Sequence, residues 1–433
     1  MEESEKHINT SEYMIGLDIG TTKISVIIGR KNKYGKLEIL GTGRAISNGV
    51  ARGIVANIDK TVDSIKEAIT EAKKKSGIEI DEVFVGIAGQ HIKSLQHRGE
   101  LVRDNIEIEI EKADIDKLKS NMFKLITIPG EEVIHVIPQE YTVDGEDGIQ
   151  DPKGMAGVKL EANFHVITAQ VGAVRNIIRC VEKAGLTPKE LVLEPFASAV
   201  ATLDEDELRE GVALVDIGGG TTDVAIFLDN IIRHTAVIPF GGNVITKDIK
   251  TGLSILEKQA ELLKIKFGSA MYTVDQENVM VSIPGLRGRE PKEIAVKNLS
   301  EIIGSRYKEI IDLVYHQIKV SGYENKLMTG IVITGGGAQI RNLKQLVAFV
   351  TGKETRIGYP NEHLGSESKD TVVSPMYATG VGLVLKGFEH AGYTNAPKKV
   401  AAPVIKEVVD VEQSIEPTLM DRISGWFTEE NID

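Results

Sequence analysis

Two short segments of this 433-residue chain carry the residue types that can grip a metal ion and phosphate. Met14 to Lys23 reads MIGLDIGTTK, and Val212 to Ala225 reads VALVDIGGGTTDVA. In each, an apolar run delivers an aspartate to its end, Asp18 or Asp216. Small and hydroxylic residues follow: Gly20, Thr21, Thr22 and then Lys23 in the first, Gly218, Gly219, Gly220, Thr221 and Thr222 in the second. A carboxylate at the end of a buried strand suits hydrated Mg²⁺, which keeps several waters and takes one or two carboxylates together with phosphates. Glycines let backbone N–H groups approach phosphate oxygens with no Cβ in the way, and threonine hydroxyls add donors. One such turn is a weak signal, because glycine-rich connections between strands are common. Two in matching register imply a duplicated fold whose halves face one nucleotide.

A third segment, Ile331 to Ile340 (IVITGGGAQI), is another apolar strand followed by Gly335, Gly336, Gly337 and Ala338. Such a turn lets backbone lie against an adenine or ribose, although a plain strand-to-helix turn has the same composition. Between the second and third segments, Glu257 to Gly268 reads EKQAELLKIKFG. Its helical spacing puts Glu261 and Lys264 on one face, a pairing that by itself is usually a solvated helix surface.

The elements that must position these residues alternate between strand and helix. Ile24 to Ile28, Leu37 to Gly41 and Val83 to Ile87 are short and β-branched, with a helical pattern at Thr61 to Lys75 between them, so the chain reads as α/β with mixed sheets. From about Ser94 to Glu161 the pattern changes to an acidic alternating stretch (IEIEI, Ile106 to Ile110), a helix and proline-bounded strands, which reads as an inserted subdomain. A second insertion runs from Thr251 to about Lys297. The long helix Leu299 to Val320 follows, with Ile302, Ile303, Ile310, Ile311, Val314 and Ile318 at core spacing. Pro375 to Leu385 is a helix dense in small residues that returns to the first half.

Composition narrows the function classes. Asp and Glu number 63 against 51 Lys and Arg, a net charge of -12, which argues against nucleic acid as a partner. No apolar run reaches membrane-span length, so a soluble globular body is expected. The N-terminal MEESEKHINTSE is too polar and acidic for a secretory signal. Cys180 is the single cysteine; a packed helix thiol and a cytoplasmic setting are expected. The nine histidines show no zinc-ligand spacing.

The order of two phosphate motifs, an EPFASA segment (Glu194 to Ala199) and a late GGGA turn resembles the actin, Hsp70 and sugar-kinase superfamily. Four further stretches, Ser47 to Ile65, Val85 to Glu100, Val136 to Glu161 and Ile232 to Ile249, are similar to the FtsA family of bacterial cell-division proteins, with the likeness running from about Tyr13 to Phe388. The resemblance implies a duplicated actin-like fold, two RNase H-like mixed-sheet halves around a nucleotide cleft. It divides the chain into a disordered tail (1–12), subdomain 1A (13–93, 166–208 and 371–390) with the family's own subdomain 1C inserted (94–165), and subdomain 2A (209–250 and 299–370) with 2B inserted (251–298). A flexible linker (391–417) and a membrane-targeting helix (418–430) complete it. It also implies ATP with Mg²⁺ in the cleft. Glu261 and Lys264 would clasp the adenosine, Gly335 to Ala338 would cover its other side, and Gly241, Gly242 and Asn243 would let the chain pass close to the nucleotide. Glu194 would orient an attacking water, and the sequence offers no recognisable arginine finger.

Beyond His390 the sequence is proline-bearing and aperiodic up to a final apolar stripe, Leu419, Met420, Ile423, Trp426 and Phe427, spaced for one helix face. The resemblance implies that it targets the membrane, yet its polar face is acidic: Asp421, Glu429, Glu430 and Asp433 stand against Arg422 alone, so anionic lipid would not attract it. Burial of five apolar side chains at roughly 1.5 to 3 kcal/mol each would contribute on the order of 10 kcal/mol before the cost of partial insertion and helix folding. One copy should bind weakly, whereas many copies on one polymer would bind together. The resemblance therefore implies a protein that forms filaments and tethers FtsZ and other division proteins to the inner face of the cytoplasmic membrane at the division site, with at most slow ATPase activity. The alternative is another actin-superfamily ATPase or kinase whose C-terminal helix binds a protein.

Overall fold

The computed structural model describes residues 13–104, 108–125, 127–274, 277–285, 290–365 and 372–394, and its first compact unit ends at Gly392. The membrane-stripe residues Leu419, Met420, Ile423, Trp426 and Phe427 lie outside the described residues.

The first half begins with an antiparallel meander, β1 (Met14–Ile19), β2 (Lys23–Lys31) and β3 (Leu37–Ile46). β6 (Glu82–Ile87) then pairs parallel with β1, and β11 (Thr187–Leu193) parallel with β6. The connection to β6 is α1 (Ile58–Ser76). The Asn57 side chain accepts the Lys60 N–H at its start, Gly77 in the left-handed conformation closes it, and Val62, Ile65, Ala68, Ile69 and Ala72 turn one buried face to the sheet. Cys180 is buried in α3 (Val171–Lys183), in the same core.

The second half repeats that plan. β12 (Val212–Ile217), β13 (Thr222–Leu228) and β14 (Ile231–Ile238) form the meander, and β17 (Ile331–Thr334) and β18 (Thr355–Ile357) add in parallel on the far side of β12. The duplicated motifs are thus the first hairpins of two sheets of one topology. Their registers agree: Asp18 lies opposite Ser25, and Asp216 lies opposite Asp223. The helix α8 (Val296–Val320) backs the second sheet with Ile303, Ile310, Ile311, Val314 and Ile318 fully buried. Ile302, read as core from its spacing, packs half-buried against that core and also lines a surface groove.

Within the first half, β7 (Ile92–Val102), β8 (Glu131–Val143), β9 (Glu146–Ile149) and β10 (Lys159–Gln170) make a separate antiparallel sheet in the order β7-β10-β8-β9. The helix α2 (Lys112–Met122) covers it, burying Leu118 and Met122 against Tyr141, Leu160 and Phe164. This sheet belongs in sequence to the first half but touches the second through β14. Ser94 Oγ donates to Thr235 O (3.0 Å), Gln96 Nε2 to Arg233 O (3.2 Å) and Gln139 Nε2 to Ile232 O (2.9 Å), and His165 Nε2 meets Thr235 Oγ1 at 3.1 Å.

The last described helix, α10 (Ala378–Thr394), packs at backbone distance, as its small residues require. A Cβ on Gly382 would meet Ala197 O at 1.8 Å, and one on Gly16 would meet Gly380 O at 2.8 Å. α10 therefore covers part of one face of the first sheet, over β1 and β2, and its Thr379 reaches the cavity at the end that carries Asp18.

The candidate nucleotide cleft

The tips of the two first hairpins face each other and enclose a cavity of about 110 Å³. Asp18, Gly20, Thr21, Thr22 and Lys23 line it from one side, and Asp216, Gly218, Gly219, Gly220 and Thr221 from the other. A methyl on Gly220 would meet Thr21 Oγ1 at 2.6 Å, so only residues without a side chain let the tips approach this closely. Asp18 is held in place by Lys23 Nζ at 2.5 Å and Ser25 Oγ at 3.2 Å. Asp216 accepts from Ser198 Oγ (2.7 Å) and Thr379 Oγ1 (3.4 Å). A Cβ on Gly335, whose φ is +85°, would lie 2.3 Å from Asp216 Oδ1, so that position needs glycine for both its backbone angle and its space.

Four carboxyl groups share this cavity, and the electrostatics reflect it. Burial, with the charges of Asp18, Asp223 and Asp216, pushes Glu194 well above the ordinary carboxylate range; Lys23 opposes this. Burial raises Asp216, with the Ser198 hydrogen bond opposing. Burial and the charge of Asp216 push Asp223 up to about 7. Asp223 Oδ1 is buried without a hydrogen-bond partner, while Oδ2 accepts from Thr221 Oγ1 at 3.2 Å. An excess of carboxyl groups over cations, with one oxygen unpartnered, suits a cation. Among the described residues no three acidic, histidine or cysteine side chains are placed to hold an ion directly. The donor set fits an ion held through its own water by one or two carboxylates, as Mg²⁺ is.

A second cavity of about 500 Å³ adjoins the first, and it is large enough for a nucleoside. Gly242, Asn243, Glu261, Lys264, Gly336 and Gly337 line it, together with Tyr307, Ile340 and Met376. Lys264 is more than a solvated partner of Glu261. It is buried on α7 (Glu257–Phe267), and its Nζ reaches Gly242 O (3.0 Å), Thr246 Oγ1 (2.8 Å) and Glu261 Oε2 (2.7 Å), tying α7 to the start of α6 (Gly242–Leu253). Gly242 N–H and Asn243 N–H donate to Gly218 O and Gly219 O, so the α6 start braces the second hairpin from behind.

Three residues singled out from the sequence line neither cavity. Thr222 is buried, with its hydroxyl donating to Phe240 O at 2.8 Å. Gly241 packs on the hairpin, where a Cβ would meet Gly218 O at 2.5 Å. Ala338 is wholly buried in the core of the second half. Conversely, Asp223, Thr379 and Arg44 belong to the cavity walls and were not assigned from the sequence. Asp223 was visible inside the second motif, seven residues after Asp216, but only the hairpin register shows that both point to one face.

Comparison with known proteins agrees with this geometry. The family model for the cell division protein FtsA matches residues 213–382, and that for the SHS2 domain inserted in FtsA matches residues 89–168. The cell division protein FtsA of Pseudomonas aeruginosa is 39% identical over 384 residues, covering 88% of this chain and 91% of that one. Among solved structures, a chain of the PilM-PilN type IV pilus biogenesis complex superposes with a TM-score of 0.62 at 16% identity, covering 87% of this chain and 98% of its own. MreB5 of Spiroplasma citri bound to ADP gives 0.51 at 17% identity, with 89% and 98% covered. The structural likeness establishes the actin-like fold, and with the sequence likeness over nearly nine-tenths of the chain, the protein belongs to the FtsA family of cell-division proteins.

Proposed function

We propose that this protein binds ATP with Mg²⁺ between its two hairpins, assembles into filaments, and holds FtsZ and later division proteins at the inner face of the cytoplasmic membrane. The observation that carries the nucleotide part is the pair of equal-register hairpins closing on one carboxyl-lined cavity beside a nucleoside-sized one. That the structurally similar MreB5 was solved with ADP supports it.

Asp18 and Asp216 would hold the ion's waters, and the backbone N–H groups and hydroxyls of residues 20–22 and 218–221 would receive the phosphates. Bound Mg²⁺ would offset phosphate charge. Glu194, raised by burial and then by its acidic neighbours, would orient a water, and phosphoryl transfer asks chiefly for such positioning and charge stabilisation. Glu261 and Lys264, with Gly336 and Gly337 opposite, would flank the nucleoside. Turnover would be slow at most, and the nucleotide would act mainly by favouring the closed, polymer-forming cleft.

FtsZ would dock at the second insertion. A surface groove of about 550 Å³ between α6 and α8 touches the edge of that insertion at Gly252 and Leu253; its other walls come from α8, with Asn298, Ile302 and Arg306, and from Asp248 of α6. Attachment to the membrane would come from the apolar stripe of residues 419–427, since no described helix is long and apolar enough to cross a bilayer. Co-sedimentation with lipid vesicles, with and without ATP and FtsZ, tests the reading as a whole. The protein should pellet with lipid, bring FtsZ with it, and pellet more fully with ATP; FtsZ remaining in the supernatant would remove the tether.

A further inference from the structure

Across each sheet, residues opposite one another on neighbouring strands project from the same face. In the first sheet, the row through Asp18 continues to Ser25 on β2 and Arg44 on β3. The equivalent row in the second sheet is Asp216, Asp223 and Val237. Asp18 and Ser25 are hydrogen-bonded and face the cleft, while Gly43 turns the other way, against Ala68 of α1. Arg44 therefore stands on the cleft face, and it lines both cavities at their junction, with Thr22, Gly218, Gly219, Gly336 and Met376.

Three basic residues line the two cavities. Lys23 is paired with Asp18 and Lys264 with Glu261. Arg44 is exposed, and among the described residues no ion pair holds its guanidinium. The carboxylate beside it, Glu71, accepts its backbone N–H at 2.7 Å and feels its charge at longer range, but is itself paired with Lys75 at 2.6 Å. A guanidinium held by no ion pair, at the waist between a phosphate-sized and a nucleoside-sized cavity, is matched to one partner, the phosphates that join the two parts of a nucleotide, because its planar fork bonds phosphate oxygens two at a time.

We propose that Arg44 is a nucleotide-binding residue of the first half, contacting the phosphates nearest the ribose across a cleft whose nucleoside side is built by the second half. The proposal rests on reading the cleft as a nucleotide site. It gives that site a cation that can draw β3 toward ligand bound on the opposite wall, and its effect is shared by nucleoside diphosphates and triphosphates and absent for the nucleoside.

The test measures affinities of the full chain for Mg·ATP, ADP and adenosine by calorimetric competition, with Arg44→Ala and Arg44→Lys beside the parent. Arg44→Ala should weaken ATP and ADP roughly tenfold to a hundredfold and leave adenosine within about twofold, with Arg44→Lys recovering part of the loss. Unchanged ATP and ADP affinity would overturn the proposal. So would an equal loss for adenosine, which would show that Arg44 merely supports the fold. A parent protein that binds no ATP would instead overturn the nucleotide reading of the cleft.

Discussion

Gly219 lies so close to Thr22 that a Cβ built on it would stand 2.2 Å from Thr22 Cγ2. The two hairpins are therefore in contact across the duplication, and side-chain volume at this point acts as a wedge between the halves. Gly219→Ala should cost about 1–3 kcal/mol through overpacking and lower ATP affinity as the tips separate. Adding Thr22→Ala, which removes the clashing methyl, should restore much of both. Calorimetry and thermal unfolding of the single and double variants check this; a double variant no better than Gly219→Ala would mean that the tips do not bear on each other.

Asp216→Ala should weaken Mg·ATP binding, because it removes one of the carboxylates that would hold the ion's water. Its hydrogen bonds from Ser198 and Thr379 already fix its orientation. An ATP affinity equal to that of the parent would sink the placement of the second hairpin on the phosphates.

Glu194→Ala separates binding from chemistry. The variant should bind ATP as the parent does and lose whatever slow phosphate release the parent shows. Equal release by both proteins would take Glu194 out of the mechanism.

Asp223 gives the empty cleft a measurable pH dependence. Burial, and then the charge of Asp216, push its carboxyl up to about 7 in the fold from an ordinary value of 3.8. Below about pH 4 it is protonated in both states; as pH rises toward 7 the unfolded chain ionises first, so its contribution to stability is progressively lost. Asp223→Asn, neutral throughout, should gain on the parent across that window by on the order of 2 kcal/mol. Urea unfolding without nucleotide or Mg²⁺ at pH 5 and pH 8 measures it, and a difference that does not grow with pH would contradict the buried, raised carboxyl.

The apolar stripe can be tested without reference to the cleft. Replacing Trp426 and Phe427 by Glu should release the protein from vesicles while leaving ATP binding intact. Moderate salt should change attachment little, since the stripe carries no basic patch to be screened. Undiminished pelleting of the double variant would reassign the stripe to a protein surface.

The duplication, the α/β class and both hairpins were legible because each is written in a contiguous run, an apolar strand ending in aspartate and glycine. The long helix α8 was legible for a similar reason, though periodicity could not tell that Ile302 sits at the margin of the core and also lines a groove, since i and i+1 both fall near the edge of an apolar stripe. Arg44 and Asp223 were hidden, because their place depends on which residues pair across strands, and register is not written locally. Thr379 and Met376 reach the cleft from the far end of the chain, at the start of α10, where only the closed fold brings them near Asp216. Glycines 241 and 337 were legible as tight positions, but what they press against, the second hairpin and Ile217, is tertiary information.

The side chains that reach β14 from β7, β8 and β10 have a bearing on solubility. β14 is the outermost strand of its sheet, and outward carbonyls on such a margin are a template for pairing with another chain. Ser94, Gln96 and Gln139 occupy the carbonyls of Thr235, Arg233 and Ile232 with side-chain amides and a hydroxyl rather than with a further strand. The sheet is thus closed to backbone addition without being extended, and a chain from which residues 92–170 were excised should self-associate through that bared margin even with both hairpins intact.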